Sequence, residues 1–327
     1  MLPVRDEADI IGQSLACMLQ WADMIHVFDT GSTDATWEII QDLAAKEKRI
    51  VPLGSDPVFF SDTCVRGWIF QQARGQMRDG DWFLRVDADE FHLITPPEFV
   101  KTRMEKHESV AWHQYYNFQL TESEARAYEE GRVTLADRLR PIEQRRRWFI
   151  PSDDSEPRMC RYRETMRWPS TISFPYNSGY VARERLPIRH YPNRDPIQMN
   201  RRCRLRAIMM ADKQNRANWS YDDVHHWSER EWKKFVAPDD SPDLQYWQPG
   251  EPLPECHSTT HLAGFTKRAM QRLTHAVGVS LLDRFRPGWT EGTYPQRIPD
   301  DVSAELERQF SDELAEADVH QHQRPCA

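Results

Sequence analysis

Residues 82–91 read Trp82-Phe83-Leu84-Arg85-Val86-Asp87-Ala88-Asp89-Glu90-Phe91. The apolar run from Trp82 to Val86 predicts a strand, 82–87, and that strand closes on two carboxylates alternate in sequence. In an open α/β sheet, ligands bind outside the carboxyl ends of the strands. Hard oxygen ligands there suit Mg²⁺ or Mn²⁺ bridging to substrate phosphates. The bland alternative is an acidic loop after a strand, because Asp-x-Asp triplets are common on surfaces. A second segment weighs against it.

That segment is Asp29-Thr30-Gly31-Ser32-Thr33-Asp34. Met24 to Phe28 reads as a buried strand, and Asp29 stands at its carboxyl end. Gly31 permits a tight turn, and Thr33 or Asp34 can cap the helix that follows. The helix is expected from Ala35 to about Lys46, with Trp37, Ile40 and Leu43 on one face. An acidic side chain between strand end and helix start is placed to accept hydrogen bonds from a base or a ribose. Asp29 as a plain capping group is the competing reading. The Gly-x-Gly-x-x-Gly dinucleotide fingerprint is absent.

Working outward, the first half alternates helix and strand signals. Asp9 to Ala22 is amphipathic, with Ile10, Ile11, Leu15, Met18 and Leu19 inward. A strand Ile50–Leu53, a helix Val65–Met77, a helix from Pro96 to about Lys106 and a long aromatic strand Val110–Leu120 follow. Such alternation means crossover units and a mostly parallel, twisted sheet. Only Leu2-Pro3-Val4 precedes the charged turn Arg5-Asp6-Glu7, so the first strand is very short, as with a late-assigned start or a trimmed chain. Residues 121–150 form a charged insertion ending in Arg145-Arg146-Arg147, read as solvated helix. Antiparallel strands are expected within 158–191, then an Arg-rich helix from Pro196 to Lys213. Residues 214–327 read as a helical and irregular extension, its clearest helix being Phe265–Phe285.

The chain has 327 residues, 39% of them hydrophobic and 11% aromatic, enough for a large core. A net charge of −8 argues against nucleic acid as a partner, which needs a basic footprint. Six scattered cysteines without a Cys-x-x-Cys suit reduced thiols in the cytoplasm. Neither a signal peptide nor an apolar run of membrane-span length is evident, so a soluble or peripheral protein is expected. His225-His226, the Cys256-His257 to His261 group and His320 to His322 lack closed four-ligand zinc spacing.

Arg5-Asp6-Glu7, the 29–34 turn and Asp87-Ala88-Asp89, in this order and spacing, resemble family 2 glycosyltransferases of the GT-A fold. The likeness covers roughly the first 120 residues and extends more loosely to 213 through Ile188-Arg189-His190-Tyr191. It implies a GT-A α/β domain over 1–213, a Rossmann-like, mostly parallel twisted sheet flanked by helices, with 214–327 as the helical extension. It further implies Pro3, Val4, Arg5 and Glu7 against the nucleotide, Asp29 on the base, and Arg66 or Arg74 near the diphosphate. Asp87 falls near ribose and metal, Asp89 becomes a direct metal ligand, and His190 fits a third ligand from a late strand end. His190 also reads as a hydrogen-bonded strand-end histidine. The family usually has Asn where this chain has Asp6.

The activity so implied is Mn²⁺- or Mg²⁺-dependent transfer of a sugar from a nucleoside-diphosphate-sugar, a UDP-sugar first, to a glycan, lipid or protein hydroxyl with inversion. Arg194, or a residue of the Arg201–Arg206 run, is a second diphosphate clamp; the run also reads as a solvated helix face. The base candidates are Asp153, Asp154 and Glu184. A cytoplasmic enzyme, with peripheral contact at the inner face of the membrane, is expected; for helix 265–285, packing onto the catalytic domain is favoured over docking on a membrane. Two rivals stand beside it. One is a nucleotide-sugar-binding protein without turnover. The other is an Asp-x-Asp phosphohydrolase, disfavoured because Glu90-Phe91 follows a motif lying far from the amino terminus.

Overall fold

A computed structural model describes residues 1–60, 64–152, 154–170, 172–176, 178–211, 231–254, 269–271, 273, 292–305, 307 and 308. The histidine groups considered for zinc and nearly all of helix 265–285 lie outside them, as does Asp153. No helix among the described residues is long and apolar enough to cross a membrane.

Strands β1 (Leu2–Val4), β2 (Ile25–Asp29) and β3 (Ile50–Ser55) pair in parallel in the order β1-β2-β3. Helices α1 (Ile11–Met18) and α2 (Thr36–Lys46) make the crossovers. Their expected inward residues Ile11, Leu15, Met18 and Ile40 are buried, and the α1 helix is shorter than 9–22. Helix α3 (Cys64–Ala73) leads to β4 (Trp82–Leu84). Met1 joins β1 to this strand: its N donates to Leu84 O at 2.9 Å and its O accepts from Val86 N at 3.1 Å. The parallel bonding therefore runs on from β1 to β4.

The second sheet is built on β6 (Val110–Phe118). One edge takes β8 (Pro157–Arg161) and β7 (Trp148–Pro151) antiparallel, and the other takes β9 (Leu186–His190) parallel. β5 (Glu90–His92) pairs antiparallel with β9, β4 with β8, and β10 (Gln245–Tyr246) with β7. Among the described residues of 158–191, β8 and β9 are the strands, and the described residues between them are irregular. Helix α4 (Pro96–Arg103) stops short of Lys106.

The 121–150 insertion carries α5 (Glu122–Glu129), α6 (Leu135–Arg138) and α7 (Ile142–Arg145). It is helical as expected, but it is not a solvated face. Arg145 and Arg146 are buried, Arg145 pairing with Asp9 at 3.0 Å and Arg138 with Asp195 at 2.9 Å. Asp195 has no exposed surface, and a buried carboxylate must be neutralised by a partner. The insertion supplies the partners. Helix α8 (Pro196–Ala211) follows, with Asp195 capping it through Gln198 N at 2.9 Å.

Candidate active site

The carboxyl ends of β1, β2 and β9 and the loop after β4 meet at one edge, bounding a cleft of about 390 Å³. Pro3, Val4, Arg5 and Glu7 line it from the first turn. Arg66, Asp87, Asp89 and His190 line it from the other side. Asp29 is not on the lining, though Thr30 is.

The two turns are sewn together. Asp6 adopts φ 54°, the left-handed region that Asn and Asp tolerate best. Its Oδ1 accepts from Thr33 N at 2.7 Å and Thr33 Oγ1 at 3.0 Å, while Asp6 N donates to Ser32 Oγ at 2.9 Å. An acceptor with that backbone tolerance is what the position asks for, and Asp meets it as Asn would. Gly31 sits at φ 94°, and an added Cβ would lie 2.6 Å from Pro57 Cα, so no side chain fits. Asp29 Oδ1 accepts from Gly31 N and Ser32 N at 2.7 Å and from Ser55 Oγ at 3.1 Å. Its Oδ2 is buried without a hydrogen-bond partner, an acceptor left over after the turn is satisfied.

The two aspartates of the triplet differ. Asp87 Oδ1 accepts from Arg66 Nη2 at 2.5 Å and Oδ2 from Arg158 Nη1 at 2.9 Å. Burial alone raises its carboxyl, but Arg66, Arg158 and Arg85 outweigh it and hold the group well below the usual carboxylate range. Both oxygens are thus engaged, and buried Arg66 spends its guanidinium on Asp87 rather than pointing freely at a diphosphate. Asp89 Oδ2 lies 3.7 Å from His190 Nε2. His190 Nδ1 bonds Asn117 Oδ1 at 2.7 Å; that acceptor puts the proton on Nδ1 and leaves the Nε2 lone pair toward Asp89. Burial lowers the His190 pKa, with Asp89 pulling the other way, which favours the neutral, ligating imidazole.

Among the described residues no three His, Cys, Asp or Glu gather into a site that would close around a metal unaided. A carboxylate and an imidazole with room for phosphate oxygens is instead the donor set of a cation shared with its substrate. Asp89 and His190 fit that role; Asp87 holds the loop that presents Asp89.

Four expected site residues lie elsewhere. Arg74 bonds Gln71 and the Glu164 carbonyl and stacks on Phe70, outside the cleft. Arg194 is fully buried against Glu7, Asp9 and Asp89, which claim it before a diphosphate can. Glu184 is exposed, pairs with Arg103 at 3.3 Å and precedes β9, whose far end carries His190. Asp154 is exposed and its N donates to Ser152 Oγ. Conversely, Arg158 and Asn117 went unread. Each left a signal: an arginine beside the apolar pair Met159 and Cys160, and an asparagine within an aromatic strand.

Residues 1–167 match the model of Glycosyl transferase family 2. A TPR repeat-containing protein of Synechococcus elongatus is 28% identical over 183 residues, covering 54% of this chain and 41% of that one. The chain thus spans about two fifths of the length of that relative. Among solved structures, a mannosyltransferase of Pyrobaculum calidifontis, in complex with GDP-Man and Mn²⁺, matches at 12% identity and a TM-score of 0.36, over 68% of each chain.

Proposed function

The chain belongs to glycosyl transferase family 2 and has that family's GT-A type α/β fold, and on that premise we propose that it transfers a sugar from a nucleoside-diphosphate-sugar to an acceptor hydroxyl, with inversion and a divalent cation. The observation that carries the proposal is the Asp89–His190 pair facing one another at 3.7 Å on the rim of the cleft.

Asp29 Oδ2, just behind the cleft lining at Thr30, is the unspent acceptor for a base N–H, and Pro3 to Arg5 line the cleft itself. Asp89 and His190 would hold Mn²⁺ or Mg²⁺, and Arg202 and Arg206, one turn apart on α8, add positive charge in the same cleft. The bound cation supplies Lewis-acid neutralisation of the charge gathering on the leaving diphosphate. A UDP-sugar is the first donor to try. The acceptor is a glycan, lipid or protein hydroxyl, and the compartment we assign is the cytoplasm, in keeping with four free thiols among the described residues.

Incubating the chain with Mn²⁺ and UDP-, GDP- and dTDP-sugars tests this through the release of free nucleoside diphosphate. Release with one nucleotide, abolished by EDTA, is the expected result. None of the carboxylates Asp154 and Glu184 reaches the cleft, which favours a second reading, a nucleotide-sugar-binding module. Donor-induced thermal stabilisation without any release would establish that reading instead.

A further inference from the structure

We propose that Arg194 is the positioning residue of the cation rim, fixing the Asp89 carboxylate through a guanidinium shared with Glu7 and Asp9 and fastening the 121–147 insertion to that rim. The inference rests on Asp89 being a cation ligand. Arg194 Nε and Nη2 fork onto the two oxygens of Asp9 at 2.9 and 3.0 Å, and Nη2 also donates to Glu7. Nη1 donates to Tyr191 O at 3.3 Å and lies 3.8 Å from Asp89 Oδ2. That same oxygen faces His190 Nε2 at 3.7 Å, so a guanidinium and an imidazole bracket a single carboxylate oxygen.

Remove the guanidinium and Glu7, Asp9 and Asp89 lose a counter-charge that all three share, leaving Arg145 on Asp9 and Arg202 beside Glu7 and Asp89. They relieve the repulsion by turning away from one another, which spoils a ligand. On its other side Arg194 meets the insertion. Arg146 donates to the Arg194 carbonyl, and Arg145 reaches Asp9, the partner of the fork. Lysine keeps the charge but offers a point in place of a planar fork, so it cannot serve Asp9, Glu7 and Asp89 together.

The test titrates Mn²⁺ alone into the full chain and follows the free-ion EPR signal, alongside thermal unfolding. Arg194→Lys is expected to weaken Mn²⁺ about tenfold or more, the usual effect of losing a group that orients a ligand. The control is Arg138→Met, which breaks a buried pair with Asp195 and makes no contact with Asp89, although its charge is felt at Asp9. It should lower Tm and leave the Mn²⁺ Kd in place. Should Arg194→Lys fail to fold, Asp9→Asn reports the same link by loosening the fork, and Mn²⁺ binding should weaken with it. Unchanged Mn²⁺ affinity in the folded variant, or equal weakening in Arg138→Met, overturns the positioning role. A wild-type chain that binds no Mn²⁺, either alone or with UDP present, removes the cation reading itself.

Discussion

Two aspartates separated by one alanine do different work, and the difference is set by what each oxygen touches. Asp87 closes a ring of charge with Arg66 and Arg158, both of them buried. Asp89 faces His190 and the outer reach of Arg194. Asp87→Asn should therefore behave as a stability mutation. It takes a charged partner from two buried guanidiniums, a loss of order 3 kcal/mol, which urea unfolding would register. Asp89→Asn should unfold at close to the wild-type urea concentration yet lose Mn²⁺-stimulated donor turnover. The reverse order of effects would remove this division of labour. Gly31→Ala belongs to the same scale. Its φ of 94° and the Pro57 contact at 2.6 Å predict a loss of about 1–3 kcal/mol, and a Tm equal to wild type would mean the turn is not as drawn.

Among the elements, the insertion gains most from being seen in place. Its helices are short, and what secures them is Asp195, which caps α8 and receives Arg138 and, at 3.7 Å, Arg145. Asp195→Ala should loosen 121–147 first. Hydrogen exchange of those amides should quicken while β1 to β3 keep their protection; uniform exchange across the chain would contradict it. What sequence could show follows from range. β2, the 29–34 turn and α2 are legible because period and glycine are local properties of neighbouring residues, although Ala35, without a side-chain bond, takes the capping position expected of Thr33 or Asp34. The family resemblance rests on the same local segments. Arg158 reaches Asp87 across 71 residues, on β8, and no local pattern carries that. Arg194 reads as a phosphate clamp until its carboxylate partners appear, Glu7 standing 187 residues away. Arg145 and Arg146 look solvated for the same reason: the charges they neutralise are in other elements.

At the scale of the molecule, these buried charges make stability depend on pH, and the signs can be worked out. Burial, with Asp87 and Asp89 adding to it and Arg158 opposing, pushes the Glu90 carboxyl up to about 8. The folded chain then keeps a proton that the unfolded chain gives up near 4.5. Between those values the unfolded state binds fewer protons, so this group's contribution to stability falls as pH rises. His92, driven down to about 3 by burial, acts the other way: unfolded chains take up its proton below about 6.5, and stability recovers as pH climbs from 3 to there. The wild-type curve therefore mixes opposing limbs, and a difference isolates one of them. Glu90→Gln keeps the shape and cannot ionise. Its stability relative to wild type should climb from pH 4.5 to 8, at about 1.4 kcal/mol per pH unit where steepest, and level off beyond. Urea unfolding of both proteins at pH 5, 6, 7, 8 and 9 reads this directly. A pH-independent difference would show that Glu90 is already ionised beside Arg158 in the folded chain, and that the charge behind Asp89 is balanced rather than protonated.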